Sequence, residues 1–121
     1  KGVVVTDDFD AAVAHAMACI DSRDGGAVVI EEFLAGPEVS LFGVSDGTMI
    51  VPLVPAQDFK RVGNNDEGPN TGGMGAYSPL PLAPKGFVTD VTENVLQPMV
   101  DEMNRRGIPF QGLLFAGLNT S

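Results

Sequence analysis

Residues 58–79, DFKRVGNNDEGPNTGGMGAYSP, hold the side chains and glycines best suited to chemistry in this sequence. Lys60 and Arg61 stand side by side at the start, and Gly68, Gly72, Gly73 and Gly75 follow. Glycine tolerates positive φ, so a run of it can turn successive N–H groups toward one point and form a concavity for an anion. An adjacent lysine and arginine would neutralise that anion's charge. Pro69 and Pro79 stiffen the ends of the stretch. A phosphate or carboxylate is therefore a fitting ligand. The competing reading is a long irregular excursion that packs against a neighbouring domain, and composition alone leaves both open.

Familiar phosphate and catalytic patterns are absent. No G-x-x-x-x-G-K-[ST] occurs, and GGMGAY lacks the third glycine and the preceding strand of a dinucleotide fingerprint. No Cys/His set has metal-ligand spacing, and the single His15 leaves no Ser-His-Asp arrangement to propose. His15 and the single Cys19 both fall in a helical pattern, where a surface imidazole and a buried thiol are the ordinary readings. Asp66 and Glu67 read as a solvated turn rather than a metal site.

Composition narrows the partners. The 121 residues suit one domain, with 44% hydrophobic and 19% charged residues. A formal charge of −9, from 16 acidic and 7 basic residues, argues against nucleic acid and against an anionic membrane surface. A small anion stays compatible with it, since backbone N–H groups and a few local cations suffice. No signal peptide and no apolar run of membrane-spanning length is visible, and a cytoplasmic location is expected. The sequon Asn119-Thr120-Ser121 is short enough to arise by chance. Both ends read as cut, so the chain is expected to be a piece of a longer protein.

The elements that must position the glycine stretch are legible in the pattern. Residues 2–5, GVVV, predict a buried strand. A helix follows, with Asp7 or Asp8 as N-cap, Phe9, Val13, Ala16 and Ile20 on one face, and Gly25-Gly26 as its end. Residues 27–33, 38–44 and 49–54 predict an antiparallel meander, its second turn marked by Asp46-Gly47. Pro52 places the third strand at an edge or a bulge. Residues 89–107 return to helical spacing, with Val91, Val95, Met99 and Met103 on one side. Pro98 predicts a kink or break near Gln97, because it removes one hydrogen bond and costs ~3 kcal/mol. Residues 112–118 predict a last strand.

The wording of the glycine stretch is more specific than its composition. QDFKRVGNNDEGPNTGGMGAYSPLP resembles the signature segment of the phosphoribosylamine–glycine ligase (glycinamide ribonucleotide synthetase) family, within the ATP-grasp superfamily. KGVVV resembles the end of that family's G-K-G-V nucleotide loop, VVIEEFLAGPEVS its adenine-hinge strand, and FQGLLFAGL the strand before its metal-binding motif. The resemblance spans essentially the whole chain, and the G-P-N-T-G-G-M-G-A-Y-S-P run is long enough to be specific.

The resemblance implies an α+β ATP-grasp fold that holds ATP between two subdomains. Residues 1–34 would belong to the smaller one, the nucleotide lid. Residues 35–121 would belong to the larger, with substrate loop 58–79. Lys1 and Gly2 would lie over the phosphates. Glu31, Glu32, Phe33 and Leu34 would read adenine, Glu32 and Leu34 through main-chain atoms, and Glu38 would hold ribose hydroxyls. Lys60 and Arg61 would meet anionic oxygens, either the sugar phosphate or the transferring γ-phosphate. Asn70, Thr71, Gly72, Gly73 and Met74 would wall the amine and glycine substrates.

The implied reaction is ATP-dependent condensation of glycine with 5-phosphoribosylamine through glycyl phosphate, in de novo purine biosynthesis. It yields glycinamide ribonucleotide, ADP and phosphate. The family's Mg²⁺ ligands belong to an E-x-N-x-R-x-G-D-P-E stretch that does not occur in these 121 residues. No metal ligand is therefore assigned here, and the isolated piece is expected to be inactive. Two alternatives stay open from sequence: another ATP-grasp carboxylate–amine ligase, and a non-catalytic interaction domain with a structural glycine loop.

Overall fold

The computed structural model describes residues 2–22, 26–81 and 83–120. The chain forms two compact units. One comprises the described residues of Lys1–Ala35 together with Lys60–Met74, and the other Gly36–Phe59 with Gly75–Ser121.

In the first unit, helix α1 spans Phe9–Asp21. Of the two N-caps the sequence offers, Asp8 takes the role: its carboxylate accepts from the Asp10 N–H at 2.9 Å and the Ala11 N–H at 3.1 Å. The end differs from expectation. The helix stops at Asp21, and the Ser22 hydroxyl donates to the Cys19 carbonyl at 2.9 Å, ahead of the glycine pair. α1 buries none of its residues, and Phe9 is 78% exposed. Cys19 is half-buried rather than buried, with Sγ 3.5 Å from His15 Nε2 one turn back.

Residues 2–5 and 27–33 are not strands. Their β-branched residues suit an extended chain, but a strand also needs a ladder partner. None pairs with them among the described residues, and Ile30 is 89% exposed.

The second unit is built on an antiparallel sheet of strands β1 (Glu38–Asp46), β2 (Ile50–Pro52) and β5 (Gln111–Asn119), in the order β2-β1-β5. The expected meander is thus corrected: β5, not residues 27–33, occupies the far side of β1. It offers a ladder along the whole length of β1, from Glu38 opposite Asn119 to Asp46 opposite Gln111. Along β1 burial alternates with period two, hiding Val39, Leu41, Gly43 and Ser45. On the opposite face Phe42 and Phe115 meet across the ladder with ring centroids 5.1 Å apart. Edge strand β2 ends at Pro52, which suits a residue with no N–H to donate.

The buried face packs on a helical arm made of α2 (Phe87–Val91), a π-helical turn (Thr92–Leu96) and α3 (Gln97–Arg105). Leu41, Ile50, Val91, Leu96, Val100 and Ala116 form the core. Here the predicted apolar face is corrected as well. Pro98 has no N–H for the Asn94 carbonyl, and its ring crowds that carbonyl. The backbone widens one turn earlier instead of breaking, and the Gln97 N–H reaches the Thr92 carbonyl five residues back. The extra residue in that turn shifts the register, so Val91, Leu96 and Val100 are buried while Val95 and Met99 are exposed. Gly43 leaves room for side chains packed against it: a Cβ there would lie 2.7 Å from Ile50 on β2 and 3.3 Å from Leu96 on the helical arm.

Gln97 also clamps the β1–β2 turn. Its Oε1 accepts from the Ile50 N–H at 3.1 Å, and its Nε2 donates to the Thr48 carbonyl at 2.8 Å. Asn104 donates to the Gly47 carbonyl at 3.0 Å. Gln97→Ala is expected to cost ~1–3 kcal/mol, because it strands a part-buried donor. Faster hydrogen exchange at the Ile50 amide is the check.

Inside that turn the Asp46 carboxylate accepts from the Thr48 and Met49 N–H groups, each at 2.8 Å. The Met49 bond first, then that from Thr48, holds Asp46 below the usual aspartate range. A depressed folded pKa stabilises above the unfolded value, and that contribution is lost as pH falls through the folded one. Asp46→Asn is therefore expected to lower the melting temperature near neutrality. The difference from the parent protein should close as pH falls from the usual aspartate range through the lower folded pKa.

Strands β3 (Gln57–Arg61) and β4 (Asn70–Tyr77) pair as a separate two-stranded sheet that carries the glycine stretch. No helix among the described residues is long and apolar enough to cross a membrane.

Candidate functional site

The glycine stretch is more regular than its composition implies. Half-irregular by sequence, it is a hairpin whose second strand, β4, runs straight through Gly72, Gly73 and Gly75. Backbone bonds from Val62 N–H to the Pro69 carbonyl (3.2 Å) and from Gly63 N–H to the Glu67 carbonyl (2.9 Å) close the connection. A 3₁₀ turn at Asn64–Asp66 rounds its tip, with Asn65 at φ 56° and ψ 32°. That left-handed conformation is one asparagine tolerates.

Lys60 and Arg61 are neighbours in sequence but not in space around one anion. Consecutive residues on a strand project to opposite faces. Arg61 shares a face with Gln57 and Phe59, and Lys60 takes the other. The Arg61 guanidinium donates to the Gly68 carbonyl at 2.7 Å and so bridges the loop it was expected to serve. The Lys60 carbonyl accepts from the Thr71 hydroxyl at 2.8 Å, and that hydroxyl in turn accepts from the Gly73 N–H at 3.0 Å.

Sequence reasoning missed the residues that pin the hairpin's base. Phe59 and Tyr77 stack with centroids 5.9 Å apart at 18°, and the Tyr77 hydroxyl donates to Gln57 Oε1 at 2.7 Å. The signal was available: Gln57 and Phe59 are two residues apart, and so belong to one face of a strand. Ser78, just beyond β4, donates to the Pro55 carbonyl at 2.9 Å.

The structure brings Lys60, Arg61, Asn70, Thr71, Gly72, Gly73 and Met74 together on this hairpin. Gly2 and residues 31–34 belong to the same compact unit. Glu31, Glu32, Phe33 and Leu34 are exposed residues that belong to no strand. Glu38 opens β1 in the other unit. Lys1 lies outside the described residues. Among the described residues no three His, Cys, Asp or Glu side chains gather as metal ligands.

A family model, phosphoribosylglycinamide synthetase, ATP-grasp (A) domain, matches residues 1–121. The chain belongs to this family. The phosphoribosylamine–glycine ligase of Streptomyces coelicolor is 66% identical over 118 residues, which is 98% of this chain and 27% of that protein. The enzyme of the same name from Mycobacterium tuberculosis is 54% identical over 118 residues and is covered to 28%. A crystal structure of phosphoribosylamine–glycine ligase from Thermotoga maritima superposes with a TM-score of 0.81 at 32% identity. It covers 98% of this chain and 31% of that one. The chain thus spans little more than a quarter of the length of the curated relatives it matches. As an ATP-grasp (A) domain it has the α+β architecture expected from its sequence.

Proposed function

We propose that the protein ligates glycine to 5-phosphoribosylamine at the expense of ATP, giving glycinamide ribonucleotide, ADP and phosphate in de novo purine biosynthesis. The supporting observation is the 66% identity, over 118 residues, to a relative that bears the name phosphoribosylamine–glycine ligase. ATP supplies the phosphoryl group that converts the glycine carboxylate into an acyl phosphate open to attack by the sugar amine. Positioning and charge neutralisation then carry the catalysis. Mg²⁺ belongs to the same reading, with ligands outside these 121 residues, as does a cytoplasmic location.

Roles follow residue by residue. Lys60 and Arg61 neutralise anionic oxygens of substrate, each from its own face of β3. The main chain of Asn70, Thr71, Gly72, Gly73 and Met74 walls the amine and glycine substrates. Glu31, Glu32, Phe33 and Leu34 line the adenine, Glu38 the ribose, and Lys1 and Gly2 the phosphates. Residues 1–34 then belong to the smaller ATP-grasp subdomain and 35–121 to the larger.

The test is a ligation assay on the full-length protein with ATP, glycine and freshly formed 5-phosphoribosylamine, read by mass spectrometry. Glycinamide ribonucleotide should accumulate with ADP, and both should vanish when glycine is left out. ATP consumption with a different amine, and none with this one, would assign the protein to another carboxylate–amine ligase reaction.

A further inference from the structure

Three glycines in four residues would leave the main chain of β4 poorly restrained, and packing does not restrain it here. A Cβ at Gly72, Gly73 or Gly75 would meet no atom within 4 Å. Gly73 stands at φ 125°, where side-chain-bearing residues are strained. Whatever holds this run in place must do so by hydrogen bonds. One side chain supplies two of them. The Thr71 hydroxyl donates to the Lys60 carbonyl on β3 at 2.8 Å and accepts from the Gly73 N–H at 3.0 Å.

We propose that Thr71 is a positioning residue of the substrate site: its hydroxyl ties the main chain of Lys60 to that of Gly73 and so sets the cation and the glycine run at one fixed separation. A hydroxyl has a single proton, and here the Lys60 carbonyl takes it. Thr71 therefore has no donor left for a substrate, and its contribution passes through the backbone at both ends of the bridge. The Arg61 bond to the Gly68 carbonyl restrains the loop tip on the other side of Asn70, so it cannot do the same for Gly73. A misplacement of about 1 Å between groups that hold two reactants is enough to lower a rate ~10²-fold.

The inference rests on the proposed ligase reading for its kinetic part alone. Its structural part stands independently, and the experiment separates the two. In the full-length protein, Thr71→Val keeps the shape and loses the hydroxyl, while Thr71→Ser keeps the hydroxyl. Amide hydrogen exchange over residues 70–75 and steady-state kinetics are measured for both. Thr71→Val should speed exchange at Gly73 about tenfold and lower kcat ~10–100-fold with the KM for ATP unchanged. Thr71→Ser should restore both quantities to within about twofold of the parent protein.

Parental exchange at Gly73 in Thr71→Val would overturn the proposal, as would failure of Thr71→Ser to rescue it. A raised KM for the amine with parental exchange would also overturn it, since that marks direct substrate contact. If the parent protein ligates nothing, the proposed function fails, and the exchange comparison alone still decides the role of Thr71. Should Thr71→Val melt early, Thr71→Ser set against Thr71→Ala decides by the same two readouts.

Discussion

Lys60→Met in the full-length protein is expected to lower kcat/KM for ligation by ~10²–10³-fold with its melting temperature unchanged, the size of effect seen when one charge-stabilising group leaves a site. The side chain is exposed, so its loss leaves no cavity. It stands on the face of β3 opposite the Phe59–Tyr77 stack, so its loss leaves the base of the hairpin intact. Arg61→Met should behave differently. It removes the bond to the Gly68 carbonyl, and part of its effect should appear as faster proteolysis within residues 62–69. Kinetics of the two variants, read beside limited proteolysis, separate a cation that meets substrate from one that shapes the loop. Parental kinetics in Lys60→Met would remove Lys60 from the site.

Leu96→Ala should cost ~3–5 kcal/mol, whereas Met99→Ala should cost less than ~1 kcal/mol. Leu96 is 1% exposed and sits in the core with Leu41, Ile50 and Val100. Met99 is more than half exposed. The contrast is informative because a regular α-helix through residues 87–105 would reverse it. With four-residue spacing from Val91, the buried positions would be Val95 and Met99. The π turn inserts one residue and delivers Leu96 and Val100 to the sheet instead. Urea unfolding, or hydrogen exchange in β1 and β5, measures both losses. Equal costs would mean that the helix keeps its α register past Pro98.

Much of the architecture is written locally. Asp8 caps α1 because a short carboxylate placed just before an apolar period satisfies the first free N–H groups. Asp46-Gly47 makes the β1–β2 turn for an equally local reason, as Gly47 supplies φ 99° and Asp46 binds the two following donors. The edge position of β2 was also visible in a single residue, Pro52. The G-P-N-T-G-G-M-G-A-Y-S-P wording singled out the family, which the family model then matched over the entire chain.

Other features depend on partners that no local pattern names. Residues 27–33 have the composition of a strand yet form none, while β5, distant in sequence, runs along all of β1. Strand formation is decided by which backbone edges meet, and that is a property of the assembled chain. The register of the helical arm is another case: Pro98 announced a disturbance, but only packing against Leu41 and Ile50 decided that one extra residue would be absorbed rather than the helix broken. In the candidate site, the sequence by itself determined the residue types, a lysine and an arginine next to a glycine run. Tertiary structure decided that the two cations face opposite ways, and that a threonine hydroxyl joins one cation's main chain to the glycines. Alternation follows once residues 57–61 are a strand, but the pairing that makes them one and the bridge from Thr71 to Lys60 join residues that only folding brings together.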